Sequence, residues 1–264
     1  MAKKLKSKAE KVHENHGITG AGIDYTVYNM NARERLVSMT AGALVGFVAG
    51  YFYFNLVIIG IIVGVVAGWK AIDIYHDSLF KKRQKELRIQ FRDMLESLSN
   101  SLTVGMTPNR AFHSAYKDML TEHGDKAFIT KELQLICAAH DNNGIEIKDL
   151  VNDFAIRSGL EDIKSFAGVF DVSTNLGGDI AKVIRETRDM IGEKIEVEME
   201  IQTIVTGQRN QLNILAVMPL VVTVMMKAFN TGADTALTII VKILALGLFV
   251  FAYWLGTKIV DIKV

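Results

Sequence analysis

The chain of 264 residues has one cysteine and two prolines. A single thiol excludes an internal disulfide framework and points to a reducing compartment. Cys137 lies among Leu133, Leu135, Ile136 and Ala138, so it reads as a small core residue rather than a nucleophile. The scarcity of proline leaves long stretches without a helix breaker; from Asp179 there is none until Pro219. No stretch alternates apolar and polar residues over a useful length, which argues against strands. Catalytic signatures are missing too. Gly177-Gly178-Asp179 is not followed by Lys-Ser or Lys-Thr, so it is no phosphate-cradling loop, and any ATP hydrolysis falls to another protein. His123-Gly124-Asp125 and His140-Asp141 are isolated pairs without a second cluster at metal-ligand spacing. The expectation is a non-enzyme with no catalytic residues, no cofactor and no metal. The formal net charge of +1 provides no general attraction for nucleic acid, and none is expected as a partner.

What the chain does have is apolar surface. Half of the residues are hydrophobic while 22% are charged, so the charges are segregated into separate segments. Residues 1–35 form a basic N-terminal segment, with Lys3, Lys4, Lys6, Lys8 and Lys11 near its start, suited to a cytoplasmic position beside anionic lipid. Residues 36–72 are too long for one membrane span and about right for a hairpin of two. Tyr51, Phe52, Tyr53 and Phe54 form an aromatic group at the turn, with Asn55 behind. Gly42, Gly46 and Gly50 in the first half, and Gly60, Gly64 and Gly68 in the second, clear one face of each helix for close approach. Those faces either close the hairpin on itself or meet another copy. Arg33 and Arg35 precede the hairpin and Lys70, Lys81, Lys82 and Arg83 follow it, which places both ends in the cytoplasm.

Residues 73–211 read as a cytoplasmic bundle of about six helices. Phe91, Met94, Leu95, Leu98 and Leu102 give the first apolar stripe, stopped by Gly105. Thr107-Pro108 opens a second helix carrying Ala111, Phe112, Ala115, Met119 and Leu120. A third ends at Asn142-Asn143-Gly144, and a fourth carries Ile147, Leu150, Val151 and Phe154 and stops at Gly159. Ile163, Phe166, Val169 and Phe170 mark the fifth, which stops at the Gly177-Gly178 pair. Asp179 then caps a sixth, whose apolar stripe begins at Ile180, Val183 and Ile184 and which turns wholly apolar from Leu212 to Ala228. If continuous it is roughly 75 Å long at 1.5 Å per residue, with Gly207 and Pro219 as places to bend. The glycine pair reads first as a capping turn and second as a hinge. Residues 212–256 form a second span pair, with Lys227 and Lys242 reaching toward an interface, and 257–264 a cytoplasmic tail.

The bundle resembles the F domain of the inner-membrane platform proteins of type II secretion and type IV pilus machines. The resemblance is carried by Phe91-Arg92-Asp93-Met94-Leu95-Glu96-Ser97-Leu98, by Leu102 to Gly105 with Ala111, by Gly144 with Leu150 and Phe154, and by Gly177-Gly178 opening a helix that reaches Arg209 and Met218-Pro219. One F domain between two span pairs is most similar to the TadB-type platform of Tad/Flp pili; general secretion platforms usually hold two F domains and fewer spans. The resemblance covers about residues 36–264. It implies a polytopic, multi-pass protein of the cytoplasmic membrane with both termini in the cytoplasm. Its partners would be a hexameric secretion ATPase, a second, TadC-like platform subunit or further copies of itself, pilin subunits and membrane lipid. It would couple the ATPase to pilin extraction. From Lys70 to Gln211 there are 19 Lys and Arg against 23 Asp and Glu, and the basic residues gather at 81–92. The acidic row containing Glu193 and Glu196 is therefore either a solvated helix face or the ATPase-docking surface. Two other classes compete: a permease subunit of a small-solute transporter, and a membrane sensor, which would need an ATP-binding domain after the bundle.

Overall fold

A computed structural model describes residues 16–54, 57–176 and 179–229, with 247, 251, 255 and 256. The described residues form seven helices and no strand: α1 (Ala32–Phe54), α2 (Val57–Thr103), α3 (Pro108–His123), α4 (Phe128–Asn143), α5 (Ile147–Ser158), α6 (Glu161–Leu176) and α7 (Ile180–Phe229). They fall into two compact units, the first holding residues 16–29 and 78–195, the second residues 30–77 and those from 196 onward. The all-α expectation stands.

The first unit is built on helical stripes that meet in one core. Phe91, Met94, Leu95 and Leu98 of α2, Phe112 and Met119 of α3, Ile129, Leu133 and Ile136 of α4, and Leu150 and Phe154 of α5 are all buried. So are Ile163, Phe166 and Phe170 of α6 and Ile184, Ile191 and Ile195 of α7. Edge-on aromatic contacts lock the layers, Phe91 to Phe166 at 5.5 Å and Phe112 to Phe170 at 6.0 Å, each adding about 0.5–1.5 kcal/mol beyond simple burial. Two residues placed on these stripes from sequence lie outside the core, Leu120 at 40% and Val169 at 49% exposure. Each follows or precedes a buried neighbour by one position, about 100° around the helix, and so faces outward.

Helix ends follow the expected punctuation. Thr107 is extended (φ −67°, ψ 152°) with Pro108 in the first turn, although its hydroxyl makes no capping bond. Gly144 adopts the left-handed conformation at φ 65° and donates its N–H to His140 O at 3.0 Å, closing α4. Gly105, at φ 87°, lies just past the end of α2, and its N–H reaches Leu102 O at 2.9 Å. Asp179 Oδ1 accepts the Lys182 N–H at 3.0 Å and caps α7. Gly177 and Gly178 lie outside the described residues.

In the second unit the two glycine triplets face each other. A Cβ on Gly46 would lie 3.0 Å from Val63 O and 3.1 Å from Gly64 Cα, and one on Gly50 would lie 3.0 Å from Gly60 Cα. A Cβ on Gly64 would sit 2.9 Å from Ala43 O, and one on Gly68 2.9 Å from Met39 O. Gly42 is closed in by Ala67, Gly68 and Ala71. The glycines thus seal the α1–α2 hairpin on itself. The outward faces are apolar, with Val45, Ile58 and Trp69 at 68%, 71% and 70% exposure. α2 is long and apolar enough to cross a membrane. Further along, a Cβ on Gly256 would come within 3.1 Å of Leu212, at the start of the apolar part of α7. Gly207 and Pro219 both lie within α7, and Gly207 has open space around it.

The glycine seam predicts opposite signs for two substitutions. Gly64→Val should destabilise the solubilised protein by about 1–3 kcal/mol through overpacking. Gly207→Ala, in open space in a helix interior, should stabilise it by about 0.5–1 kcal/mol. Thermal unfolding of the two variants beside the parent checks both; an unchanged midpoint for Gly64→Val would contradict the seam.

Candidate functional site

The densest polar arrangement among the described residues lies under a strap formed by residues 16–29, which pack into the first unit without helix or strand. Two glycines shape the start of the strap. Gly17 (φ 71°) accepts the Gly20 N–H on its carbonyl at 3.1 Å, and a Cβ at this position would run into the Asp153 carboxylate. Gly22 passes directly over Arg157, whose Cζ would be 2.6 Å from an added Cβ. Only glycine allows so close an approach.

Arg157 of α5 is the centre of the site. Its guanidinium forms a two-pronged pair with Glu132 of α4, Nη1 to Oε1 at 3.0 Å and Nη2 to Oε2 at 2.8 Å. Its Nε binds Asp153 Oδ2, one helical turn earlier, at 2.8 Å. All three residues are buried, Arg157 almost completely at 1% exposure. Burial opposes the charge on Arg157, but the two carboxylates outweigh it and hold the guanidinium protonated. The remaining lone pairs and donors are taken by the strap. Ile18 N donates to Asp153 Oδ1 at 2.9 Å, Arg157 Nη1 donates to Ile23 O at 3.1 Å, and Tyr25 N donates to Arg157 O at 2.9 Å.

Tyr25 fixes the strap. Its ring is fully buried, edge-on to Phe128 at 5.7 Å and to Phe154 at 6.3 Å, with the Arg83 guanidinium 4.8 Å from its centroid. Its hydroxyl donates to Glu132 Oε1 at 3.0 Å. Burial, then the Glu132 charge, push the phenol well above its usual pKa, so it stays a neutral donor. From α2, Gln84 Nε2 binds Tyr25 O at 2.8 Å and Arg83 Nη2 binds Asp24 O at 3.2 Å. The arrangement holds chain against chain; it contains no nucleophile paired with a base.

Sequence reasoning missed this network and grouped residues 16–29 with the basic N-terminal segment. Two signals were present. Asp153 and Arg157 are spaced i, i+4, and Glu132 sits between Ile129, Leu133 and Ile136 on a face otherwise apolar. His123, read as isolated, meets Asp93 Oδ2 of α2 at 3.1 Å and Glu122 Oε1 at 4.0 Å. This is the one group of His, Asp and Glu atoms at metal-ligand separations among the described residues, yet Arg92 Nη2 already holds Asp93 Oδ1 at 2.7 Å. Cys137 is buried, and burial followed by the Asp141 charge pushes its thiol up to about 11. Glu193 and Glu196 are exposed on α7, while Lys194 between them pairs with Asp162 at 2.8 Å. Comparison with family models, curated proteins and solved structures finds no match to the chain.

Three outcomes are expected. Glu132→Ala should cost about 3–5 kcal/mol, because it leaves Arg157 short of a buried partner; Arg157→Lys should lose much of the same stability, since an ammonium cannot replace the fork. Denaturant unfolding measures both. Cys137 should resist alkylation at pH 8 in the native protein and react fully once unfolded, as both burial and a thiol pKa of about 11 withhold the thiolate.

Proposed function

We propose that the protein is a non-enzymatic platform in the cytoplasmic membrane of a Tad/Flp-type pilus or type II secretion machine, coupling a hexameric secretion ATPase to pilin extraction. The observation that carries the reading is the construction of α2 and α7. α2 begins in a glycine-sealed apolar hairpin at Val57 and ends at Thr103 in the helical bundle, whose core its Phe91, Leu95 and Leu98 join. α7 runs the other way, with core residues Ile184 and Ile191 near its start and the apolar stretch 212–228 near its end. A helix transmits displacement with little deformation, whereas a loop would absorb it, so two such helices suit a part that passes motion into a membrane.

In this reading the outward faces of α1 and of the first half of α2 meet lipid, and 212–256 supply a second span pair. The contact of Gly256 with Leu212 supports a chain that returns beside the start of that apolar stretch. Both termini are cytoplasmic, and a second, TadC-like platform subunit or further copies complete the assembly. The exposed carboxylates Glu193 and Glu196 dock a basic rim of the ATPase.

Mild-detergent purification of the tagged protein from its own cells should recover a secretion ATPase together with a second platform-like chain. Recovery of a solute-binding protein or a nucleotide-binding transporter subunit would instead identify a permease component. Glu193→Lys with Glu196→Lys should weaken ATPase recovery about tenfold or more at low salt, and undiminished recovery would remove these residues from the docking surface.

A further inference from the structure

We propose that residues 16–29 are a releasable strap, which lifts from α2, α4 and α5 as a unit while the helical core beneath stays folded, with Tyr25 as the catch. The inference is independent of the platform reading.

The strap has the anatomy of a docked segment rather than of a core element. It contributes no rung to a helix or a ladder; its backbone groups at Ile18, Ile23, Asp24, Tyr25 and Val27 are held by side chains or end groups of the helices. Of its residues only Gly22 and Tyr25 are buried, and Ile18 is 61% exposed. Three glycines in its first seven residues leave the unseated chain many conformations, which favours release on entropic grounds.

The seat is equally suited to being uncovered. Beneath the strap lie Glu132, Asp153 and Arg157, charged groups that water solvates well once it reaches them. With the strap gone, Arg157 keeps both carboxylate partners, which belong to α4 and α5 and not to the strap. The aromatic contacts Phe91–Phe166, Phe112–Phe170 and Phe166–Phe170 include no strap residue, so the core loses little. The strap's apolar anchorage is the fully buried Tyr25 ring against Phe128 and Phe154, with the half-buried Ile23 beside it, and the ring together with its bond to Glu132 is the larger hold on the strap. An open strap leaves residues 16–31 as a free linker before α1 and exposes a slot of tyrosine size flanked by Glu132 and Arg157.

Hydrogen exchange by mass spectrometry on the full chain in detergent tests this. In the parent, peptides from residues 16–29 should exchange faster than peptides from α4, α5 and α6, as expected for local rather than global opening. Tyr25→Phe, which removes only the hydroxyl, should speed strap exchange about tenfold. Tyr25→Ala should speed it about a hundredfold or more. The α4–α6 rates should stay within a factor of about two. If strap and core exchange at one common rate in the parent, or accelerate together in Tyr25→Phe, the strap is an inseparable part of the core and the proposal is wrong. Strap exchange that ignores both substitutions overturns the role of Tyr25.

Discussion

A buried guanidinium needs partners on every side, and Arg157 recruits them from three stretches of chain far apart in sequence. Glu132 comes from α4, Asp153 from its own helix, and the carbonyl of Ile23 from the strap. An unpaired charge in this place would cost several kcal/mol, so the residues around it are constrained together. Glu132 must be a carboxylate, Gly22 must lack a side chain, and Tyr25 must bring a donor to the oxygen that Arg157 shares. The same requirement aligns α4 against α5, because the two-pronged pair tolerates little rotation of either helix. Around this polar centre the aromatic layers then close in the usual way, by apolar area removed from water.

The second unit solves a different problem with a different device. Its outward faces are apolar, and the seam between α1 and the first half of α2 is lined by small residues. Close backbone approach holds the two together: an added Cβ on Gly64 or Gly68 would lie 2.9 Å from a carbonyl oxygen of the facing helix, so only glycine lets the two backbones come near enough for dispersion and weak Cα–H···O contacts to accumulate. One protein therefore uses two kinds of cohesion, charge with aromatic packing in one unit and small-residue packing in the other. The division matches the segregation of charge and apolar residues along the chain.

Much of this is legible in the amino-acid sequence. Apolar residues at helical spacing placed the core of α2 to α6, and Gly105, Gly144 and Gly159 marked helix ends, because positive φ at those turns all but requires glycine. The glycine triplets announced close packing but not its partner: the same spacing serves a hairpin and an oligomer, and only geometry distinguishes them. Leu120 and Val169 show the limit of stripe reading, where a one-position ambiguity turns a side chain from core to surface. The Arg157 network was less visible for a deeper reason. Only Asp153 and Arg157 share a helical spacing; Glu132 is 25 residues from Arg157 and the strap 107 to 135 residues from its partners there, and pairing across such separations leaves no periodicity to find. Residues 16–29 lack stripe, cap and run alike; their position is written in what they touch.

That last point bears on how such a chain is divided. Composition groups residues 16–29 with the lysine-rich start, since both are polar and lack helical pattern. Chemistry groups them with α4 and α5, since their backbone completes a buried ion network. The two groupings differ because composition measures what a segment cannot bury, while a buried charge measures what it demands from elsewhere. A charged residue on an otherwise apolar helix face, as Glu132 is, therefore signals a missing partner. Here the partner is a segment without Lys or Arg that carries two tyrosines and three glycines, able to approach closely and to anchor through the buried Tyr25 ring. The strap from His16 to Asn29 has that composition, and no other described loop in the chain does.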